Sequence, residues 1–144
     1  MSEQDQKIPP PGLLSVIICD QVILNAVDKK PTIVGVFENI SAESYPARHP
    51  RLAFFCELTN GRGTVPIAIR LVDVTQSDKI LFERTVQRLF ADVRQVHNLT
   101  FDISGVIFPH AGEYRFQIYA GGEFLGERRI ICRVIKMPPG RPNE

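Results

Sequence analysis

Residues 108–122 run Phe108-Pro109-His110-Ala111-Gly112-Glu113-Tyr114-Arg115-Phe116-Gln117-Ile118-Tyr119-Ala120-Gly121-Gly122, and this stretch decides the fold class. Pro109 and Gly112 break the chain, after which Tyr114, Phe116, Ile118 and Ala120 alternate with Glu113, Arg115 and Gln117. A strand sends successive side chains to opposite faces, so this alternation predicts a half-buried strand with the aromatic set inward. Gly121-Gly122 tolerates positive φ and predicts a hairpin turn. On the returning strand Ile130, Cys132 and Val134 continue the apolar set, while Arg129 and Arg133 face away.

The same grammar extends in both directions. Residues 14–23 are dense in Val and Ile, and a turn at 28–31 leads into residues 32–38, an N-terminal hairpin. Residues 39–50 hold Pro46 and Pro50, which remove backbone donors, and predict a loop. Residues 51–59 alternate Leu52, Phe54, Cys56 and Leu58 with Ala53, Phe55, Glu57 and Thr59. The Asn60-Gly61-Arg62-Gly63 turn then leads into residues 65–72, a second predicted hairpin with Ile67, Ile69 and Leu71 on one face. Residues 80–90 predict a strand, with a helix over 83–90 as the alternative, and Leu99, Phe101 and Ile103 mark a further half-buried strand.

About eight strands need a second apolar face to pack against, so the expected fold is all-β, a two-sheet antiparallel sandwich. The Pro-x-x-Gly-x-Tyr pattern ending at Tyr114 is similar to the tyrosine corner of immunoglobulin-like sandwiches and marks Tyr114 as a structural corner in an immunoglobulin-like or related fold. The expected organisation is a disordered segment 1–12, one domain over 13–136 and a disordered tail 137–144.

Composition excludes several function classes. Lys and Arg total 17 against 16 Asp and Glu, a net charge of +1, and a nucleic-acid binder usually carries a basic excess. The expected partner is therefore a protein or a second copy, with no nucleic acid. The first apolar run stops at Asp20, short of the ~18 residues that cross a bilayer, and the N-terminus lacks a secretory pattern, so no membrane contact and a cytoplasmic location are expected. Cys19, Cys56 and Cys132 have no CxxC spacing and are expected as buried reduced thiols. The sequons at Asn39 and Asn98 would matter only in a secreted chain.

No local motif encodes chemistry. His49, His97 and His110 lie in separate segments without zinc-type spacing, so no metal and no cofactor is expected, and no nucleophile elbow is present. The expected class is non-catalytic. One segment, residues 41–51, gathers Glu43, Tyr45, Arg48, His49 and Arg51 between prolines, the rigid aromatic and guanidinium mixture that interfaces favour. These five are the candidate binding residues, against the plainer reading of a rigid connection. A second cluster, Glu127-Arg128-Arg129 with Arg133, is expected to be a solvated strand face that protects an edge.

The segments 14–21, 33–37, 44–50, 70–73 and 112–129, above all the strings Phe-Pro-x-x-Gly-Glu-Tyr-Arg-Phe-Gln and Ala-Gly-Gly-Glu-x-Leu-Gly-Glu-Arg-Arg, resemble a bacterial domain-of-unknown-function family over residues 14–134. That resemblance implies a small bacterial cytosolic protein and carries no activity, cofactor or functional residues. The leading expectation is a protein-binding or assembly module. The alternatives are a small-molecule or glycan-binding domain, possibly an enzyme, with a site on the loop rim, and a structural subunit of a larger complex.

Overall fold

The computed structural model describes residues 8–136; of the segments expected to be disordered, 1–12 and 137–144, residues 1–7 and 137–144 lie outside the described range, and Gly12 already belongs to the first strand. Nine strands follow one another: β1 (Gly12–Leu24), β2 (Pro31–Val36), β3 (Asn39–Ala42), β4 (Ala47–Thr59), β5 (Gly63–Asp73), β6 (Lys79–Phe90), β7 (His97–Phe108), β8 (Gly112–Ala120) and β9 (Glu123–Val134). Among the described residues one 3-10 turn, Val74–Gln76, lies between β5 and β6. They form a four-stranded sheet, β2-β1-β4-β7, packed on a five-stranded one, β3-β9-β8-β5-β6. This is the expected all-β, two-sheet sandwich. All pairings are antiparallel except β3 with β9. No helix of the described residues is long and apolar enough to cross a membrane.

The core follows the alternation. Leu52, Phe54, Cys56 and Leu58 of β4 meet Ile67, Ile69 and Leu71 of β5 and Tyr114, Phe116, Ile118 and Ala120 of β8, all buried. The ring of Phe54 contacts Phe101 edge-on at 6.0 Å and Phe116 at 5.7 Å, joining the two sheets. β4 is buried on its second face too, since Ala53 and Phe55 are as covered as their neighbours, being flanked by β1 and β7. Val134 departs from the expected inward set: it is 58% exposed, because β9 ends there.

Two local expectations are corrected. Residues 60–63 do not close a hairpin, because β4 and β5 lie in different sheets and the turn arches between them. An arch and a hairpin make the same demand for positive φ, met here by Asn60 at 61° and Gly63 at 68°. What distinguishes the arch is Gly61, where a Cβ would come within 2.4 Å of the Phe90 ring. Residues 39–50 are not one loop: β3 and the start of β4 flank a short bend at 43–46. Pro50 is accommodated because β4 pairs only with β7 at that level, and the register passes from His49↔Val106 to Arg51↔Ser104 across Gly105. Residues 83–90 belong to strand β6, not to a helix.

Candidate functional site

The five residues of the 41–51 segment do not converge on one site. Tyr45 folds against the core, and its hydroxyl donates to the carbonyl of Arg133 at 2.8 Å, with the Ile40 carbonyl at 3.3 Å. That contact fastens the β3–β4 bend to β9, and burial pushes the phenol pKa up. Glu43 is exposed on the bend, and Arg48 lies beside Gly105. His49 packs on the Phe37 ring at 5.4 Å and, with Arg51, lines a shallow hollow of about 340 Å3 closed by Asp20, Gln21 and Pro50.

A polar cluster missed by sequence reasoning sits at the β7–β8 corner. Asp73 ends β5 with only 1% exposure, and its carboxylate accepts from Thr75 at 2.9 Å and faces Nε2 of His110 at 2.7 Å. The other ring nitrogen of His110 faces the Ala111 carbonyl at 2.7 Å. Two acceptors around one ring favour the imidazolium, and the His110 pKa is raised, first by the Ala111 carbonyl and then by Asp73. The Tyr114 hydroxyl completes the corner, donating to the His110 carbonyl at 2.5 Å and accepting from its N–H at 3.2 Å. Tyr114 itself is fully buried, which drives its pKa up to about 12. The cluster holds a corner together; the three concavities described in this section are lined by other residues.

The largest of the three concavities, about 590 Å3, lies at the edge of the five-stranded sheet where β3 begins. Its lining is Glu38 and Asn39 beside β9, Arg115 from β8, and Glu127, Arg128, Arg129, Ile131 and Arg133 from β9. Four guanidiniums and two carboxylates line it, and a third carboxylate, Glu113, pairs with Arg115 and lies near Arg129, leaving a local charge of +1 concentrated at one edge of the sheet. Strand alternation explains the gathering. Residues 127, 129, 131 and 133 share the outer face of β9, opposite Ile130 and Cys132 in the core, and Arg129 is the direct cross-strand neighbour of Arg115.

The arginines are ordered to different degrees. Arg115 is held by Glu113 at 2.7 Å and Glu127 at 2.8 Å. Arg128 reaches across the sandwich to the Val16 carbonyl at 3.0 Å and pairs with Glu38 at 3.1 Å. Arg129 is 64% exposed and only 3.9 Å from Glu113. Arg133 is exposed, and among the described residues no carboxylate pairs with it. Two fixed and two available guanidiniums around one hollow form an anion-receptive surface. The third concavity, about 200 Å3, separates Ile8 to Pro11 from the ends of β5 and β8.

The thiols are poor nucleophiles. Cys19, Cys56 and Cys132 are buried and unpaired, and burial pushes Cys56 up to about 12 and Cys132 up to about 11. Among the described residues no three His, Cys, Asp or Glu side chains group in a way that could hold a metal ion.

A family model described as a family of unknown function, DUF6941, matches residues 14–133. No curated protein matches. Among solved structures the chain is similar to a Pseudomonas fluorescens alkylpurine DNA glycosylase, AlkC, bound to DNA containing an abasic site analog. The identity is 10%, the match covers 83% of this chain and 30% of the glycosylase chain, and the TM-score is 0.47. That match overturns the expectation that nucleic acid is excluded as a partner, while a similarity this low carries no argument for one. The exclusion rested on whole-chain charge, and an average of +1 conceals a hollow with four arginines.

Proposed function

The chain belongs to this family of unknown function, and from that premise we propose that it is a non-catalytic binding module that contacts a partner protein through the arginine-lined hollow beside β3 and β9. The observation that carries the reading is the hollow itself: about 590 Å3, lined by four guanidiniums and two carboxylates with Glu113 beside them, and two of the guanidiniums only weakly engaged or, among the described residues, without a carboxylate partner. The non-catalytic part is supported by thiols pushed out of the reactive range and by a histidine committed to holding a corner. The three unpaired buried thiols also support a reducing, cytoplasmic setting. The corner hydrogen bond of Tyr114 supports a relationship to immunoglobulin-like sandwiches.

The test is an amide chemical-shift titration with poly-L-glutamate at low ionic strength, where exposed charge pairs are least screened. Shifts confined to residues 38–41, 115 and 127–133 are expected. Shifts at the His49–Arg51 hollow instead, or none, would refute the proposal.

A further inference from the structure

We infer that the hollow receives a short extended acidic segment of the partner, which adds as a strand beside Glu127 and Arg129 in the lane that β3 leaves open. This inference rests on the reading of the hollow given above and names what fills it. β9 runs from Glu123 to Val134, yet β3 pairs only with residues 131–134. Among the described residues no strand pairs with β9 on that side before Ile131. The chain enters the lane late because Phe37 is still bonded to Ile18 of the other sheet, and only from Glu38 onward does it follow β9.

The ladder fixes which backbone groups face the lane. Ile131 N–H donates to the Glu38 carbonyl and Ile135 N–H to the Ala42 carbonyl, so the odd-numbered residues of β9 direct their amides toward β3. Backbone groups alternate in direction along a strand, so the even-numbered residues Arg128, Ile130 and Cys132 direct theirs toward β8, where they lie opposite Phe116, Tyr114 and Gly112. By the same alternation the N–H and C=O groups of Glu127 and Arg129 point into the open lane. An edge of this kind is a template for an added strand. Near the far end of the lane Leu13 packs closely against Gly126.

Charge selects the occupant. An added strand would carry alternate side chains on the outer face, about 6.6 Å apart, level with Arg129 and its cross-strand neighbour Arg115 and running toward Arg133. Carboxylates at alternate positions would meet those guanidiniums, and neutral residues between them would avoid adding charge on the inner face. Glu38 and Glu127 interrupt the arginines, which suits carboxylates carried on a flexible peptide better than the evenly repeating phosphates of a nucleic acid. The hollow therefore fits an acidic extended peptide better than a nucleic-acid backbone.

Fluorescence anisotropy with the full chain tests this, using four probes: labelled Glu-Thr-Glu-Thr-Glu-Thr, the same composition with the acids clustered, the alternating peptide with alternate backbone amides methylated, and a hexanucleotide of single-stranded DNA. The alternating peptide is expected to bind, and clustering, N-methylation, Arg129→Glu and Arg133→Glu are each expected to weaken it by about tenfold or more. Circular dichroism of both variants confirms folding. Equal binding of the N-methylated peptide overturns strand addition while leaving the hollow as the contact surface. DNA binding that falls in Arg129→Glu, with no peptide bound, overturns the peptide as occupant. Binding of every probe unchanged by either variant overturns the underlying reading of the hollow.

Discussion

Tyr114→Phe separates the corner's hydrogen bonds from its packing. The ring fills a fully buried site and meets Phe108 edge-on at 5.0 Å, contacts that phenylalanine keeps. What is lost is one hydroxyl that donates to the His110 carbonyl and accepts from the His110 N–H. Leaving such groups unsatisfied costs about 1–3 kcal/mol. For a chain of this length that corresponds to a fall of roughly 3–10 °C in Tm. The chain has no tryptophan and three tyrosines, so urea unfolding is best followed by far-UV circular dichroism. The slope with urea should be unchanged, since the same surface is exposed on unfolding. Tyr45→Phe is the internal control: its hydroxyl bonds at a more open position, and the cost should be about 1 kcal/mol or less. A Tyr114→Phe protein within about 0.5 kcal/mol of wild type would refute the assignment of the corner to this hydroxyl.

Gly61→Ala should destabilise by about 1–3 kcal/mol, because the new methyl overlaps the buried Phe90 ring and the arch cannot open without separating the sheets; a melting temperature equal to wild type would mean that the arch is loose. The raised pKa of His110 means that its contribution is fully present below the unfolded value near 6.5 and fades as pH rises through the higher folded value. Wild type should therefore lose stability relative to His110→Gln across that window, and parallel pH profiles of the two proteins would contradict the corner's charge state. Iodoacetamide should modify the three cysteines only at the rate of unfolding, measured by mass spectrometry of native and urea-treated samples, because burial keeps each thiol protonated.

The elements legible in the sequence are those whose pattern is local. β8 and the 121–122 turn follow from alternation and paired glycines, and the inward set of Tyr114, Phe116, Ile118 and Ala120 is buried throughout. The hairpin expected at residues 60–63 is an arch because positive φ reports that a chain turns, not which sheet it turns toward; the close approach of Phe90 to Gly61 involves residues 29 positions apart. β3 was hidden because four residues beside two prolines carry no periodic signal, and their stability comes from pairing with β9. The same distance effect concealed the hollow. Arg128, Arg129 and Arg133 look like an ordinary solvated face until Glu38 and Arg115 are placed beside them. Tyr45 shows the converse, an aromatic in a promising segment whose hydroxyl is taken up by the Arg133 carbonyl.

The central claim is that the arginine hollow, and not the chain's general charge, binds an acidic partner. Two double variants with the same change in net charge decide it: Arg129→Glu/Arg133→Glu in the hollow, and Lys79→Glu/Arg94→Glu on exposed surface elsewhere. Dissociation constants for poly-L-glutamate, measured at matched ionic strength, should rise by about tenfold or more in the first and by no more than about twofold in the second. Equal losses in both would contradict the account, since they would assign binding to overall charge.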